Sequence, residues 1–318
     1  MRTLLYILCL LLSMSVFVNA KPLEKVSLQL QWLDQFQFAG YYMAIEKGYY
    51  EKKGLEVELL KHDNSINTTD IVLNKKATYG IGRSNLIIER SEGKKLVLLA
   101  AVFQSSPSVL VATKESGIRS VKDFRGKKIM TTKNVLEAAS IQAMINHFGM
   151  NIDDMNPIAH SADIKDLVTK KTDLMTSYLS NEPFRLNEMG VEYKVFDPKD
   201  SGFDFYSDIL FTSEDEIGSH RQRAIDFTKA SIEGWEYAFS HIEETVELIM
   251  KKYNVQNKSR ESLLYEGRTL KELAYYKTQT LGHISKHKIQ RIYDIYSVMG
   301  FVHKPIDMDE LVLIMTTH

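Results

Sequence analysis

The sequence predicts an α/β protein of two lobes, joined by a hinge and separated by a cleft. Three observations predict it. Strand and helix periodicities alternate through residues 21–111, beginning with a strand–helix–strand run typical of a parallel βαβ unit. The alternation restarts near Ala112, after a strand pair that reads as a crossing between units. From Ser219 onward the periodicity is helical, which supplies helices to cover the first unit. The expected boundaries are a signal peptide over 1–20, a first lobe over 21–111 and 210–318, and a second lobe over 112–209.

In residues 1–20, Arg2 precedes an apolar run from Leu4 to Val18, and "VNA" stands before Lys21. This predicts a secretory signal peptide cleaved after Ala20. The one cysteine, Cys9, falls inside it, so the mature chain must be held by core packing without disulfides. The chain carries 40 Lys+Arg against 41 Asp+Glu, which lacks the basic excess of a nucleic-acid binder. Six prolines and no low-complexity run leave little room for long linkers.

In "KVSLQLQW", Val26, Leu28, Leu30 and Trp32 alternate with polar residues as a strand. A helix follows, with Asp34 and Gln37 spaced as a capping box and Gly54 as its stop. "LEVELL" (55–60) returns as a strand. Thr68, Thr69 and Asp70 open a helix reaching about Lys76. "YGIG" (79–82), "LVLLAAVF" (96–103) and "SVLVAT" (108–113) are strands, the last two joined by the polar "QSSP". The second unit reads as a strand in "SVKDFRGKKIMTT", helices in "LEAASIQAMINHFGM" and "IKDLVTKK", a strand in "DLMTSYL", a helix in "NEPFRLNEMG" and a strand in "EYKVF". Crossing strands are expected near 109–113 and 207–211. Four helical stretches complete the chain.

The stretch "WLDQFQFAGYYMAIEKGYY" (32–50) holds seven aromatic residues in nineteen. Phe38, Tyr41, Tyr42, Ile45 and Tyr49 share one helix face, of which Ile45 and Tyr49 read as core. Trp32, Gln35 and Phe36 lie at the carboxyl end of the first strand, where a cleft opens. The two rings there can stack on a planar heterocycle or pack into the core, and Tyr41 and Tyr42 can reach the cleft edge with their hydroxyls. In "GIGRSN", Ser84 and Asn85 can open a helix toward a ligand, and Arg83 suits an anion, a carboxylate such as Glu182, or solvent. Ser105 and Ser106 offer hydroxyls near the hinge. Asn181 reads as a helix cap, with Glu182 in the first turn and Tyr178 before it. Tyr206 and Asp208 enter the second crossing strand, and Trp235 reads as core. His283 and His287 have no carboxylate partner nearby, and no helical metal-ligand spacing, nucleophile elbow or phosphate loop is present.

Taken in order, "LQWLDQFQFAGYYMAIEKGYYEKKGLEVEL", "GIGRSNLI", "VFQSSPSVLVATKESGIRSVKDFRGKKI", "YLSNEPF" and "SVMGF" resemble periplasmic solute-binding proteins of ABC importers. The pattern is most like the branch that includes thiamine-pyrimidine-precursor binders, related to sulfonate and nitrate binders. The resemblance implies a type II-like periplasmic binding protein fold that closes on a small molecule by hinge motion, without a cofactor. It also implies a periplasmic location, a monomer, and an importer's membrane subunits as partner. For an aminopyrimidine, Glu182 would accept hydrogen bonds from the ring-edge amine. The alternatives are an anion held by Arg83 and turn N–H groups, or a ligand-presenting component of a sensor. A related branch of pyrimidine-precursor synthases uses a histidine and a lysine-bound pyridoxal phosphate. Their positions fall on Leu86 and Gly82 here, so the resemblance implies a non-enzyme.

Overall fold

The computed structural model describes residues 22–63, 67–131 and 139–313. The expected signal peptide lies outside the described residues. The first sheet has the order β2-β1-β3-β10-β4, built from β1 (Glu24–Gln29), β2 (Leu55–Leu60), β3 (Tyr79–Gly82), β4 (Leu96–Phe103) and β10 (Ser207–Ser213). β1 runs parallel to both β2 and β3, while β10 is antiparallel to β3 and β4. The second sheet repeats the plan as β7-β6-β8-β5-β9, from β5 (Ser108–Thr113), β6 (Lys128–Thr131), β7 (Asn156–Ala159), β8 (Leu174–Tyr178) and β9 (Tyr193–Phe196). In each sheet three parallel strands are followed by one antiparallel strand arriving from the other lobe. That exchange makes two crossovers, through residues 104–107 and 197–206.

The pairing moves the expected lobe boundaries. Residues 108–111 were expected in the first lobe, yet β5 pairs with β8 and β9 of the second sheet. Residues 207–209 were expected in the second, yet β10 pairs with β3 and β4 of the first. Hydrophobic runs mark these strands as buried but carry no information about which sheet they join. β7 was not foreseen, because Pro157 within "NPIA" removes a ladder donor. It is tolerated there because β7 is an edge strand.

The first helix also departs from expectation. A 3-10 turn over Phe36–Phe38 leads into α1 (Ala39–Glu46), and Asp34 caps neither. Instead Asp34 Oδ1 accepts from the Tyr42 hydroxyl at 2.7 Å. The helix stops before Gly48, and Gly54 closes a separate 3-10 turn. α2 (Thr68–Leu73) is capped by Asn67, whose side chain accepts from Asp70 N–H, and α3 (Asn85–Ser91) follows β3. The second lobe adds α4 (Ala139–His147), α5 (Lys165–Val168) and α6 (Glu182–Glu188).

Long helices then pack back on the first sheet: α7 (Glu214–Ser240), α8 (Ile242–Lys252), α9 (Arg260–Ala274), α10 (Lys286–Val298) and the short α11 (Met308–Leu311). α7 is kinked at His220 and starts from Ser213, whose side chain accepts from Glu216 N–H. α1 and α7 meet at two glycines. A Cβ on Gly234 would stand 2.1 Å from Gly40 O, and one on Gly40 would stand 2.0 Å from the Trp235 ring. The absent side chains let the two backbones touch and let Trp235 lie over α1, fully buried as its sequence reading expected.

Candidate functional site

The carboxyl ends of β1, β3 and β8 and the amino ends of β5 and β10 point at one gap between the sheets. Position follows from topology: parallel strands release their chain toward the gap, and antiparallel strands enter from it. The gap holds a cavity of about 80 Å³. The first lobe contributes Trp32, Gln35 and Gln37 from the loop after β1, and Arg83 after β3. The second contributes Ser108 at the start of β5, His160 after β7, Thr176 to Tyr178 on β8, and Asn181 and Glu182 entering α6.

Six of the expected residues therefore share this cavity: Trp32, Gln35, Arg83, Tyr178, Asn181 and Glu182. The Trp32 ring is half-buried and leans on His62 at 5.4 Å between centroids. Arg83 Nε donates to the Tyr178 hydroxyl at 3.2 Å, and its guanidinium lies 5.7 Å from that ring's centre. Glu182 Oε2 accepts from Tyr178 N–H at 2.8 Å. Asn181 stands at the N-cap position but caps nothing with its side chain. Its Nδ2 donates across the gap to Gln35 Oε1 at 3.2 Å, and its Oδ1 accepts from Lys258 Nζ.

The other expected residues do not line the cavity. Phe36, Phe38, Tyr41 and Tyr42 are buried in the core of the first lobe. Phe36 packs on Phe239, Tyr41 meets Trp235 edge-on, and Tyr42 stacks on Tyr253 at 3.9 Å. Helix α7 and Tyr253, just past the end of α8, supply those partners, and the local periodicity could not show that they cover this face. Ser84 shares a hydrogen bond of 2.6 Å with the Tyr296 hydroxyl, and Asn85 donates to Glu89 at 2.8 Å. Ser105 is buried outside the cavity, and Ser106 Oγ accepts from Ser108 N–H at 3.2 Å. The Tyr206 hydroxyl accepts from Ser285 N–H at 3.0 Å.

Asp208 lies behind the cavity rather than in its wall. Its Oδ1 accepts from Gln31 Nε2 at 2.8 Å and from Gln37 Nε2 at 2.7 Å, and Ser207 Oγ donates to Oδ2. Burial pushes its carboxyl above the usual value, against the pull of Gln37, the Arg83 charge, Ser207 and Gln31. Glu266 on α9 is likewise buried and raised, and Lys258 at 3.1 Å and the Gln37 N–H at 3.0 Å oppose that shift.

Sequence reasoning missed Gln37, Ser108, His160, Thr176 and Ser177. A signal existed for Gln37: three glutamines interleave with apolar residues in "LQWLDQFQF", and buried amides demand partners. Ser108, Thr176 and Ser177 are polar strand residues that line the gap, legible only once the gap is located. His160 had no signal. Its Nδ1 accepts from Ala162 N–H at 2.9 Å, which leaves Nε2 to donate to Thr176 O at 2.7 Å. Thr176 Oγ1 is buried with no partner among the described residues, so it can serve a ligand.

Among the described residues no group of three His, Cys, Asp or Glu could hold a metal ion, and no helix is long and apolar enough to cross a membrane. A family model described as NMT1/THI5 like matches residues 35–245. The riboflavin-binding protein RibY of Chloroflexus aurantiacus is 25% identical over 248 residues, covering 73% of this chain and 68% of that protein. The formylaminopyrimidine-binding protein of Halalkalibacterium halodurans is 20% identical over 241 residues, covering 74% and 73%. At lower coverage, a 4-amino-5-hydroxymethyl-2-methylpyrimidine phosphate synthase of Aspergillus parasiticus is 25% identical over 138 residues, 42% of this chain and 40% of that one. Among solved structures, the periplasmic aliphatic sulphonate binding protein SsuA of Escherichia coli superposes with a TM-score of 0.69 at 14% identity, covering 93% and 94%. The ligand-binding component of an ABC-type import system from Staphylococcus aureus gives 0.68 at 12%, covering 91% and 96%. The fold is that of periplasmic binding proteins.

Proposed function

The chain belongs to the NMT1/THI5-like family, and from that premise we propose that it is an extracytoplasmic solute-binding protein. It captures a small planar polar molecule, a thiamine-precursor pyrimidine, and delivers it to the membrane subunits of an ABC importer. The reading places the mature chain in the periplasm as a monomer, after cleavage behind Ala20. The observation that carries it is the shared cavity: an indole from one lobe faces a carboxylate and a phenol from the other. A ligand that touches both walls stabilises the closed arrangement over the open one, which is the mechanism of capture.

Electrostatics favours a neutral or cationic ligand over an anion. The Arg83 charge acts on Asp208 behind the wall, and Lys258 pairs with Glu266. Among the described residues Glu182 has no cationic partner. A carboxylate so placed accepts from an exocyclic amine and repels a sulfonate.

Binding without chemistry is supported at the synthase-like positions. Gly82 lacks the amine that would hold pyridoxal phosphate, and a Cβ there would stand 2.9 Å from Leu86 Cδ1. The second reading, an anion binder using Arg83, is favoured by the fold shared with SsuA. Calorimetric titration separates the two. With 4-amino-5-hydroxymethyl-2-methylpyrimidine, wild type should bind and Glu182→Gln should bind at least about tenfold more weakly, near 1.4 kcal/mol. An alkanesulfonate that binds wild type, and binds Glu182→Gln as well or better, would replace this reading with the anionic one.

A further inference from the structure

The gap is spanned by a closed ring of hydrogen bonds. Gln37 Nε2 donates to Asp208 Oδ1, and Gln35 Nε2 donates to Gln37 Oε1 at 2.7 Å. Asn181 Nδ2 donates to Gln35 Oε1, and Lys258 Nζ donates to Asn181 Oδ1 and to Glu266 Oε2. Glu266 Oε1 then accepts from the N–H of Gln37, which closes the ring. Lys258 fixes every amide orientation in it. An ammonium only donates, so Asn181 must present its oxygen to Lys258, and each amide after it must present nitrogen toward Asp208.

Asn181 is the ring's member from the second lobe; the others come from the first. Lys258 and Glu266 lie beyond residue 245, outside the region the family model matches. The loop that carries Lys258 is itself anchored: Asn254 Oδ1 accepts from Lys258 N–H at 2.8 Å, and Gln256 Nε2 donates to Asp34 O at 2.9 Å. Lys258 is therefore held at the cleft rim by its own loop and reaches across to the opposite lobe.

We infer that Lys258 and Asn181 form a clasp that holds the lobes closed, with Lys258 as a positioning residue that couples closure to the cavity wall. Through Glu266 the same ammonium fixes the backbone of Gln37, and through Asn181 it fixes Gln35. Opening the cleft breaks both Asn181 bonds and releases the orientation of the two glutamines that face the ligand. The inference rests on the reading of the chain as a two-lobe binding protein, but its test does not need the ligand to be known.

The mature chain has no cysteine, so exposed Glu56 and Lys122, one on each lobe, can be replaced by cysteine for a donor–acceptor fluorophore pair. Inter-lobe distance is then read without ligand for the labelled parent, Asn181→Ala, Lys258→Met, their double variant and Lys258→Arg. Asn181→Ala and Lys258→Met should each shift the distribution to longer distances, the double variant should shift no further, and Lys258→Arg should keep the parent distance. Unchanged distances, or additive shifts in the double variant, would overturn the clasp. Asn181→Ala leaves the buried Lys258–Glu266 pair intact, so the test stands even where Lys258→Met folds poorly. With 4-amino-5-hydroxymethyl-2-methylpyrimidine as probe, Asn181→Ala should release it about tenfold faster than the parent. No binding of that probe by the parent would count against the proposed ligand, while the distances still decide the clasp.

Discussion

Asp208 sits at the amino end of β10 with φ of +48°, in the left-handed region that aspartate tolerates better than most residues. The backbone is held there by hydrogen bonds from Gln31, Gln37 and Ser207 to the side chain. The surrounding groups are those three, the Arg83 charge and the half-buried Tyr178. Burial raises the carboxyl above its usual 3.8. A raised carboxyl favours the folded state while protonated, so that contribution is full below about pH 3.8 and is lost as pH rises through the raised value. Asp208→Asn keeps an acceptor for both glutamines and never ionises. Wild type should therefore lose melting temperature relative to Asp208→Asn as pH rises from about 3.8, and a parallel pair of melting curves would contradict the assigned shift. Of the site residues, Trp32, Glu182 and Tyr178 were legible because their types suit a ligand at a strand end. Asp208 was legible as a ligand candidate but not as a support behind the wall, since Gln31 and Gln37, which hold its Oδ1, lie 177 and 171 positions away in sequence.

The site depends on how α1 is seated, because the loop carrying Trp32, Gln35 and Gln37 runs directly into it. α1 is short and nearly all buried, and short helices are stable only through packing. Its seat is the contact with α7 at Gly40 and Gly234. Gly234→Ala would force a Cβ against Gly40 O and the Ala44 side chain. Overpacking of this kind costs about 1–3 kcal/mol, which urea denaturation would read as a lower midpoint with an unchanged slope. The expected one-sided stripe of Phe38, Tyr41, Tyr42, Ile45 and Tyr49 does not hold: α1 covers only Ala39–Glu46, so Phe38 and Tyr49 fall outside it, and its residues 39–44 are buried on every side. The sequence could not say which stripe residues met solvent or ligand, because the helices that cover Tyr41 and Tyr42 lie some 200 residues downstream.

At the scale of the whole molecule, the two crossovers meet at Lys288 on α10. Its Nζ donates to Gln104 O in the first crossover and to Asp204 Oδ2 at 3.1 Å in the second, and it lies 4.6 Å from the centre of the Tyr206 ring. Burial pulls its ammonium below the usual value, against the opposing pull of Asp204. Lys288→Met should leave Asp204 and Gln104 O underbonded and lower unfolding stability by about 1–3 kcal/mol, measured by chemical denaturation. An unchanged midpoint would show that the lysine does not tie the crossovers. By itself the sequence determined the alternation of strands and helices, the parallel β1–β2 pair, and a ligand-suited set of residues at strand ends, because these follow from local periodicity and residue chemistry. Only the tertiary structure decided which sheet β5 and β10 join, which rings vanish into the core, and that Asn181 bridges the lobes instead of capping its helix. Those outcomes depend on partners distant in sequence, and a side chain's burial and hydrogen bonds are set by what packs against it.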